Sequence, residues 1–254
     1  MTFVNDKVLV LVAVRMKSSR LPKKALADLC GKPLIIRLVE RIQQAQIPSK
    51  VIICTSTNKQ DDKLEKISYE NDLECYRGSE LDVMSRFIEV ADREKANVIV
   101  RVTGDNPLTD PLMLDFMIEQ HIKKKAEYTF NDDLPNGTRP EIINVEMLKR
   151  CHKNLQDPSS SEYMTWMLNR PDYFKTLRVK SNSKDIQRPE ISLTVDTPND
   201  FHLINSIYSE FNGNPPKLIE IIKWLDLNPQ LIDYQKSSIS VVNKEDINYK
   251  FKNE

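Results

Sequence analysis

Glycine is scarce in this chain. The five present (Gly31, Gly78, Gly104, Gly137 and Gly213) are never close together. Neither a G-x-G-x-x-G dinucleotide fingerprint nor a G-x-x-x-x-G-K-[ST] phosphate loop can be written from them. A nucleotide, if bound, is held by another kind of loop. Cysteine is sparse too. Cys30, Cys54, Cys75 and Cys151 form no C-x-x-C pair, which argues against a zinc site. Cys54 and Cys75 lie in apolar strand-like runs and are expected to be core thiols. Net charge is missing, with 37 basic and 37 acidic residues, which argues against a general nucleic-acid binder. No apolar run approaches the roughly 20 residues that span a bilayer, so no membrane partner is expected. The first ten residues, MTFVNDKVLV, lack a basic region followed by an apolar one. A reducing cytoplasm is the expected location. His121, His152 and His202 have no metal-ligand spacing and are expected to be surface or satisfied. No two aspartates stand two apart, so there is no D-x-D pair.

What is present points to one large domain. At 254 residues, 40% apolar and 29% charged, the chain is globular and can bury one large core. The expected organisation is a domain over 1–235 and a polar tail over 236–254. Short Val- and Ile-rich runs at 8–14, 50–55, 73–76 and 97–102 alternate with segments of helical periodicity at 34–42, 61–70, 81–95 and 111–125. That rhythm predicts βαβ units and a parallel sheet. After residue 125 it changes. Strand-like runs at 128–130, 141–145, 174–179 and 191–195 predict antiparallel additions at one edge. Helices are expected at 146–153, 161–170, 198–211 and 217–224.

The segment after the first strand concentrates charge. Residues 15 to 37 carry seven basic side chains and one acid, Asp28. Open α/β sheets bind ligands beyond the carboxyl ends of their strands. Arg15, Arg20 and Lys24 in such a place would attract a polyphosphate. Ser18 and Ser19 among them leave backbone N–H groups free to approach it. A solvated basic surface loop is the plainer alternative. Two carboxylates also follow apolar strand-like runs. Asp105 lies in VIVRVTGDNPL, where Gly-Asp-Asn-Pro is also ordinary turn chemistry. Asp196 lies in ISLTVDTPND, where capping a helix that begins near Pro198 is the plainer role.

The loop, with Arg15, Ser18, Arg20, Leu21, Pro22, Lys24, Leu26, Gly31, Lys32, Pro33, Leu34 and Ile35, resembles the signature of the cytidylyltransferases that make CMP-activated sugars. The spore-coat-polysaccharide type resembles it most. Gly104, Asp105, Pro107 and Leu108 match that family's G-D-x-P-L element, and Asp196, Thr197, Pro198 and Asp200 match its D-T-P-x-D element. Gly78, Ser79, Asp82 and Val83 resemble its G-S-x-x-D-V stretch near the base and sugar. Gly137 and Glu141 partly match an acceptor-sugar stretch whose aspartate is missing here. Lys17 and Lys23 stand where the family usually has glycine. If those glycines supply positive φ, this loop must take another path.

The resemblance implies a three-layer α/β/α sandwich of the nucleotide-diphosphosugar-transferase type, mostly parallel with antiparallel additions. It implies transfer of CMP from CTP to a small, acidic sugar acceptor with release of pyrophosphate, and a homodimer is expected. Arg15, Lys24 and Asp105 would be catalytic, and Arg15, Ser18, Ser19, Arg20, Lys24, Gly78, Ser79 and Asp82 would bind nucleotide. Gly137 and Glu141 would bind the acceptor, and Asp105 and Asp196 would hold Mg²⁺. Arg86 shares a helix face with Asp82, and an i,i+4 ion pair is its plainer reading. A glycosyltransferase of similar architecture is the alternative, disfavoured by the missing D-x-D. A fold-retaining subunit without turnover is another, supported by Lys17 and Lys23.

Overall fold

The computed structural model describes residues 6–236 and 250–252. It opens with β1 (Val8–Ala13), an interior strand of the sheet. Val8, Val10 and Val12 enter one core while Leu9 and Leu11 enter a second. An apolar side chain at every position is what a strand covered on both faces requires. α1 (Leu34–Ile42) follows, then β2 (Lys50–Ser56), α2 (Asp62–Glu70), β3 (Glu74–Gly78), α3 (Val83–Glu94) and β4 (Val98–Thr103). Next come α4 (Pro111–Lys124), β5 (Tyr128–Phe130), β6 (Glu141–Asn144), α5 (Val145–Asn154), α6 (Met164–Leu168) and β7 (Thr176–Arg178). The described helices end with α7 (Pro198–Glu210), α8 (Leu218–Leu227) and α9 (Pro229–Lys236).

The strands form one seven-stranded sheet in the order β3-β2-β1-β4-β6-β5-β7. Helices α1, α2, α4, α7 and α8 close one face, and α3, α5 and α6 close the other. The chain winds from β1 outward to β3, then crosses back to lay β4 on the other side of β1. This reversal opens a crevice beyond the carboxyl ends of β1 and β4. Register brings Ala13 level with Cys54 of β2 and Thr103 of β4, so the residues just beyond them share one rim.

Three expectations need correction. β6 alone among the described strands runs antiparallel; β5 and β7 run with the others. Residues 191–195 are not a strand of the sheet. Their burial alternates as a strand's does, but their backbone bonds go to loops: Leu193 N donates to Asn136 O at 2.7 Å and Val195 N to Asp105 O at 2.8 Å. The proposed tail boundary at 235 falls inside α9, and residues 250–252 dock on the domain. Phe251 is 3% exposed, bridges to Leu155, and meets Tyr173 and Phe174 edge-on. Most of that tail, residues 237–249, lies outside the described residues. No described helix is long and apolar enough to cross a membrane.

Candidate active site

The basic loop begins where β1 stops. Its path is anchored by Asp61, a fully buried carboxylate at the foot of α2. Asp61 accepts Met16 N at 2.7 Å through one oxygen and Ser56 Oγ at 2.5 Å through the other. The backbone is thereby pinned one residue after Arg15. Sequence reasoning passed over Asp61, which reads locally as one of many acids in a charged helix.

Lys23 settles how the loop turns without glycine. It adopts the left-handed conformation itself, with φ 61° and ψ 23°, and so opens the short 3-10 turn Lys24–Leu26. The path is not abandoned; a lysine bears a backbone state that glycine would adopt freely. Lys17 is not among the positive-φ residues.

Lys24 reaches from this turn into the crevice. Its ammonium lies 3.1 Å from Asp105 Oδ2, 3.0 Å from Asp196 Oδ1 and 2.8 Å from Val195 O. Burial alone would depress its pKa; the two carboxylates outweigh burial and raise it above the ordinary 10.5. Arg20 adds a second cation 3.1 Å from Asp196 Oδ1. Asp105 is oriented by Thr103, whose hydroxyl donates to Oδ1 at 2.5 Å, and Asn106 donates to that hydroxyl at 2.9 Å. Gly104 is required because the loops touch: a Cβ there would meet Val14 Cβ at 2.6 Å.

Asp196 is not the helix cap. Thr197 caps α7, its hydroxyl accepting Asp200 N at 3.3 Å while Asp200 Oδ2 accepts Thr197 N at 2.8 Å. Asp200 Oδ2 also takes Asp196 N at 3.0 Å. The capping box satisfies the helix start and leaves the Asp196 carboxylate to the crevice.

These groups border a cavity of about 520 Å³. Six cations line it (Arg15, Lys17, Arg20, Lys24, Arg86 and Arg101) against three carboxylates, so it suits a polyanion. Ser18 and Ser19 line it too. Arg15 pairs with Glu162 at 2.5 Å.

The other expected site residues stand behind this lining. Gly78 lies under the stem of Arg86. Ser79 Oγ accepts Asp82 N at 3.1 Å. Asp82 caps α3 by accepting Ser85 N at 3.0 Å, and also bonds His152 Nε2 at 2.6 Å and Ser161 Oγ at 3.1 Å. It forms no ion pair with Arg86, whose Nη1 donates instead to Cys54 O at 3.1 Å. Gly137, with φ 85°, packs on the backbone of Leu193 and Thr194. Glu141 is bound by Arg101 and the Tyr128 hydroxyl, and Arg101 carries it to the cavity wall. Arg101, Glu162 and Tyr163 were not anticipated. Arg101 had a signal, a charge inside the apolar run NVIVRV; the other two had none. His152 is satisfied by Asp82, whereas His121 is buried and its Nε2 has no partner.

A doubly wound sheet with a cationic strand-end loop facing two aspartates defines a nucleotidyltransferase. The chain belongs to the cytidylyltransferase family, whose profile matches residues 9–245. It is 32% identical over 233 residues to the spore coat polysaccharide biosynthesis protein SpsF of Bacillus subtilis (strain 168), across 89% of this chain and 96% of that protein. The structure of a cytidylyltransferase from Leptospira borgpetersenii superposes with a TM-score of 0.83 at 24% identity, covering 94% of this chain and all of that one. A CMP:2-keto-3-deoxy-manno-octonic acid synthetase complexed with CTP superposes at 0.62 and 15% identity, covering 81% and 100%.

Proposed function

We propose that this cytidylyltransferase activates a small acidic sugar, converting CTP and the sugar to a CMP-sugar and pyrophosphate for surface polysaccharide synthesis. One observation carries the reading: Lys24 and Arg20 of the loop after β1 converge on Asp105, just past the end of β4, and Asp196, just before α7. Triphosphate and metal are thereby expected at one point, beside the bond that breaks.

A divalent cation fits this pair. Asp105 and Asp196 each place an oxygen about 3 Å from one position, and a cationic nitrogen already stands there. No cluster of three or more protein ligands exists among the described residues. Two carboxylates completed by phosphate oxygens and water are the arrangement Mg²⁺ favours. Mg²⁺ bound there would neutralise charge on the α-phosphate and help orient the attack.

The chain's own groups do the rest. Arg15, Arg20 and Lys24 bind the β- and γ-phosphates and stabilise the charge that develops on departing pyrophosphate. Ser18 and Ser19 let the backbone approach. Thr103 holds Asp105 in orientation. The acceptor enters beside Arg101, Glu162 and Tyr163, with Glu141 fixing Arg101. With Arg15, Arg20 and Lys24 on the triphosphate and Asp105 and Asp196 on the metal, Lys17, Arg86 and Arg101 outnumber Glu162 in the remaining lining, which favours an acceptor that carries its own negative charge.

Pyrophosphate release measured with each nucleoside triphosphate against a panel of sugar acids and neutral sugars tests this. CTP with a sugar acid is expected to turn over. Turnover only with neutral sugars would overturn the acidic acceptor, and turnover with another nucleotide in preference would overturn the cytidylyl reading.

A further inference from the structure

Transfer to a hydroxyl acceptor leaves one proton to be placed. The attacking oxygen sheds it as the bond to phosphorus forms, and a positioned base that takes it speeds such a step by about 10²–10⁴-fold. The cavity holds few proton acceptors. No histidine is among the described residues that line it. Its lysines and arginines already carry their protons; Lys24, against the pull of burial, is raised further by Asp105 and Asp196. Burial pushes the Tyr163 phenol up, so it stays neutral. Of the three carboxylates, Asp105 and Asp196 serve the metal in the proposed function. Glu162 is left.

Glu162 is held where that task needs it. Ser161, just before it, is fully buried; its hydroxyl accepts Met84 N at 3.1 Å and donates to Asp82 at 3.1 Å. The Glu162 carbonyl accepts Arg101 Nη2 at 3.0 Å. The backbone is thus fixed from α3 and from β4, while the side chain remains 37% exposed and reaches the cavity. Ile99 enters one core and Val100 and Val102 the other, so Arg101 and Thr103 share the Ile99 face of β4. Two residues of strand span about 7 Å. Arg101 under Glu162 and Thr103 beside Asp105 are that far apart, which leaves space for an acceptor hydroxyl between the two carboxylates.

The carboxylate has a partner that nucleotide would remove. Arg15 Nη2 donates to Glu162 Oε2 at 2.5 Å. Guanidinium–phosphate bonds are strong and often bidentate, so a triphosphate would draw Arg15 away and release the oxygen. The other charged groups around Glu162 are Arg101 from β4 and Asp82 and Arg86 from α3. We propose that Glu162 is the general base. Its carboxylate takes the proton of the acceptor hydroxyl as that oxygen bonds to the α-phosphorus. The bond from the α-phosphorus to the bridging oxygen breaks, and pyrophosphate leaves with the electron pair. The proton passes to water once the CMP-sugar departs. The inference rests on the proposed transfer to a sugar and names the residue that activates the acceptor.

Glu162→Gln keeps an acceptor for Arg15 and cannot take a proton; Glu162→Ala leaves room for a small carboxylate. CTP binding with Mg²⁺ is measured by calorimetry. Pyrophosphate release from CTP is followed from acid to alkaline pH with whichever sugar of the panel turns over fastest. Glu162→Gln is expected to lose about a hundredfold or more in kcat, with CTP binding within about threefold of the wild type. The wild-type rate should fall toward acid as the carboxylate takes a proton, and that fall should be absent from the variant. Formate should restore part of the rate to Glu162→Ala and none to Glu162→Gln. An unchanged kcat or an unchanged acid limb in folded Glu162→Gln would overturn the inference. So would a loss confined to CTP binding, which would make Glu162 a support for Arg15 alone. A wild type that binds CTP yet turns over with no sugar would show instead that the transfer reading has failed, and the base with it.

Discussion

Lys24 Nζ stands between Asp105 and Asp196, 3.1 Å from one carboxylate and 3.0 Å from the other. Here the lysine neutralises both acids. On the proposed function it would hold the pair until a divalent cation takes its place and would then follow the triphosphate. Lys24→Met is therefore expected to lower apo stability by roughly 1–3 kcal/mol, because it leaves Asp105 without a cation while Asp196 keeps only Arg20. Millimolar Mg²⁺ without nucleotide should raise the melting temperature of this variant more than that of the wild type. Equal Mg²⁺ shifts in the two proteins would show that the lysine does not occupy the metal position.

The aspartates themselves are expected to matter for turnover and little for folding. Each lies on the rim, 24% and 33% exposed. Asp105→Asn and Asp196→Asn should each reduce kcat by about a hundredfold or more, the scale of several kcal/mol of lost charge stabilisation. Circular dichroism should show the fold intact. Full activity of either variant at low millimolar Mg²⁺ would remove it from the metal site.

The two lysines in the glycine positions are predicted to differ. Lys17 lines the cavity, whereas Lys23 is exposed and spends its conformation on the turn. Lys17→Gly is expected to raise the KM for CTP severalfold and to weaken its salt dependence, since exposed cations act through screened attraction. Lys23→Gly should leave that KM within about twofold and leave stability unchanged or slightly improved, because strain is relieved. Activity that appears only after restoring both glycines would favour a subunit that lacks turnover in its natural form.

The residues that could be recognised in advance are those whose signal is local. The runs that became β1, β2 and β4 are apolar at nearly every position, and a buried parallel strand produces that pattern. Asp105 follows such a run, so its place on a rim could be inferred before its partners were known; Asp196 follows 191–195, an alternating run that is not a strand of the sheet. Arg86 and Asp82 show where this stops. Four residues apart on one helix they suggest an ion pair, yet Asp82 is drawn to the helix N-terminus and to residues 70 and 79 positions away. Arg86 is drawn to β2, 32 positions back. The alternating burial of 191–195 reports which side chains are covered and not what the backbone bonds to. Glu162 and Tyr163 reach the cavity only because the 3-10 segment Pro158–Tyr163 packs on α3, a tertiary fact without a local pattern.

His121 predicts an acid-sensitive step in stability. It is 2% exposed, with Nδ1 2.8 Å from Thr129 Oγ1, and burial lowers its pKa from 6.5 to about 4. The unfolded chain takes up this proton below pH 6.5, whereas the folded chain resists until about pH 4. The contribution is complete above pH 6.5 and is lost as pH falls toward 4, by about 3 kcal/mol at most. His121→Gln keeps a polar group near Thr129 and does not titrate. The stability gap between the two proteins, followed by urea unfolding from pH 7 to pH 4, should shift toward the variant on acidification. A gap that is constant with pH would show that His121 is not protected.

Gly137 ties the fold to the placement of Asp196. Its φ is 85°, and a Cβ would lie 2.5 Å from Thr194 N and 2.6 Å from Leu193 C, both backbone atoms that cannot swing aside. The neighbouring segment is held by Leu193 N on Asn136 O and by Val195 N on Asp105 O, and it ends at Asp196. Gly137→Ala therefore has two consequences. Left-handed backbone at a non-glycine residue costs about 1–3 kcal/mol before the overlap is counted, which lowers the melting temperature by about 2 °C or more in a chain of this size. Relief of the overlap must move 193–195, and Asp196 moves with them relative to Asp105. The Mg²⁺ concentration for half-maximal activity should rise severalfold, while tripolyphosphate binding by Arg15 and Arg20 without metal stays near the wild-type value. A variant that melts early but keeps the wild-type Mg²⁺ requirement would confine Gly137 to the fold. A higher Mg²⁺ requirement with tripolyphosphate binding intact would place it in the line of support for Asp196.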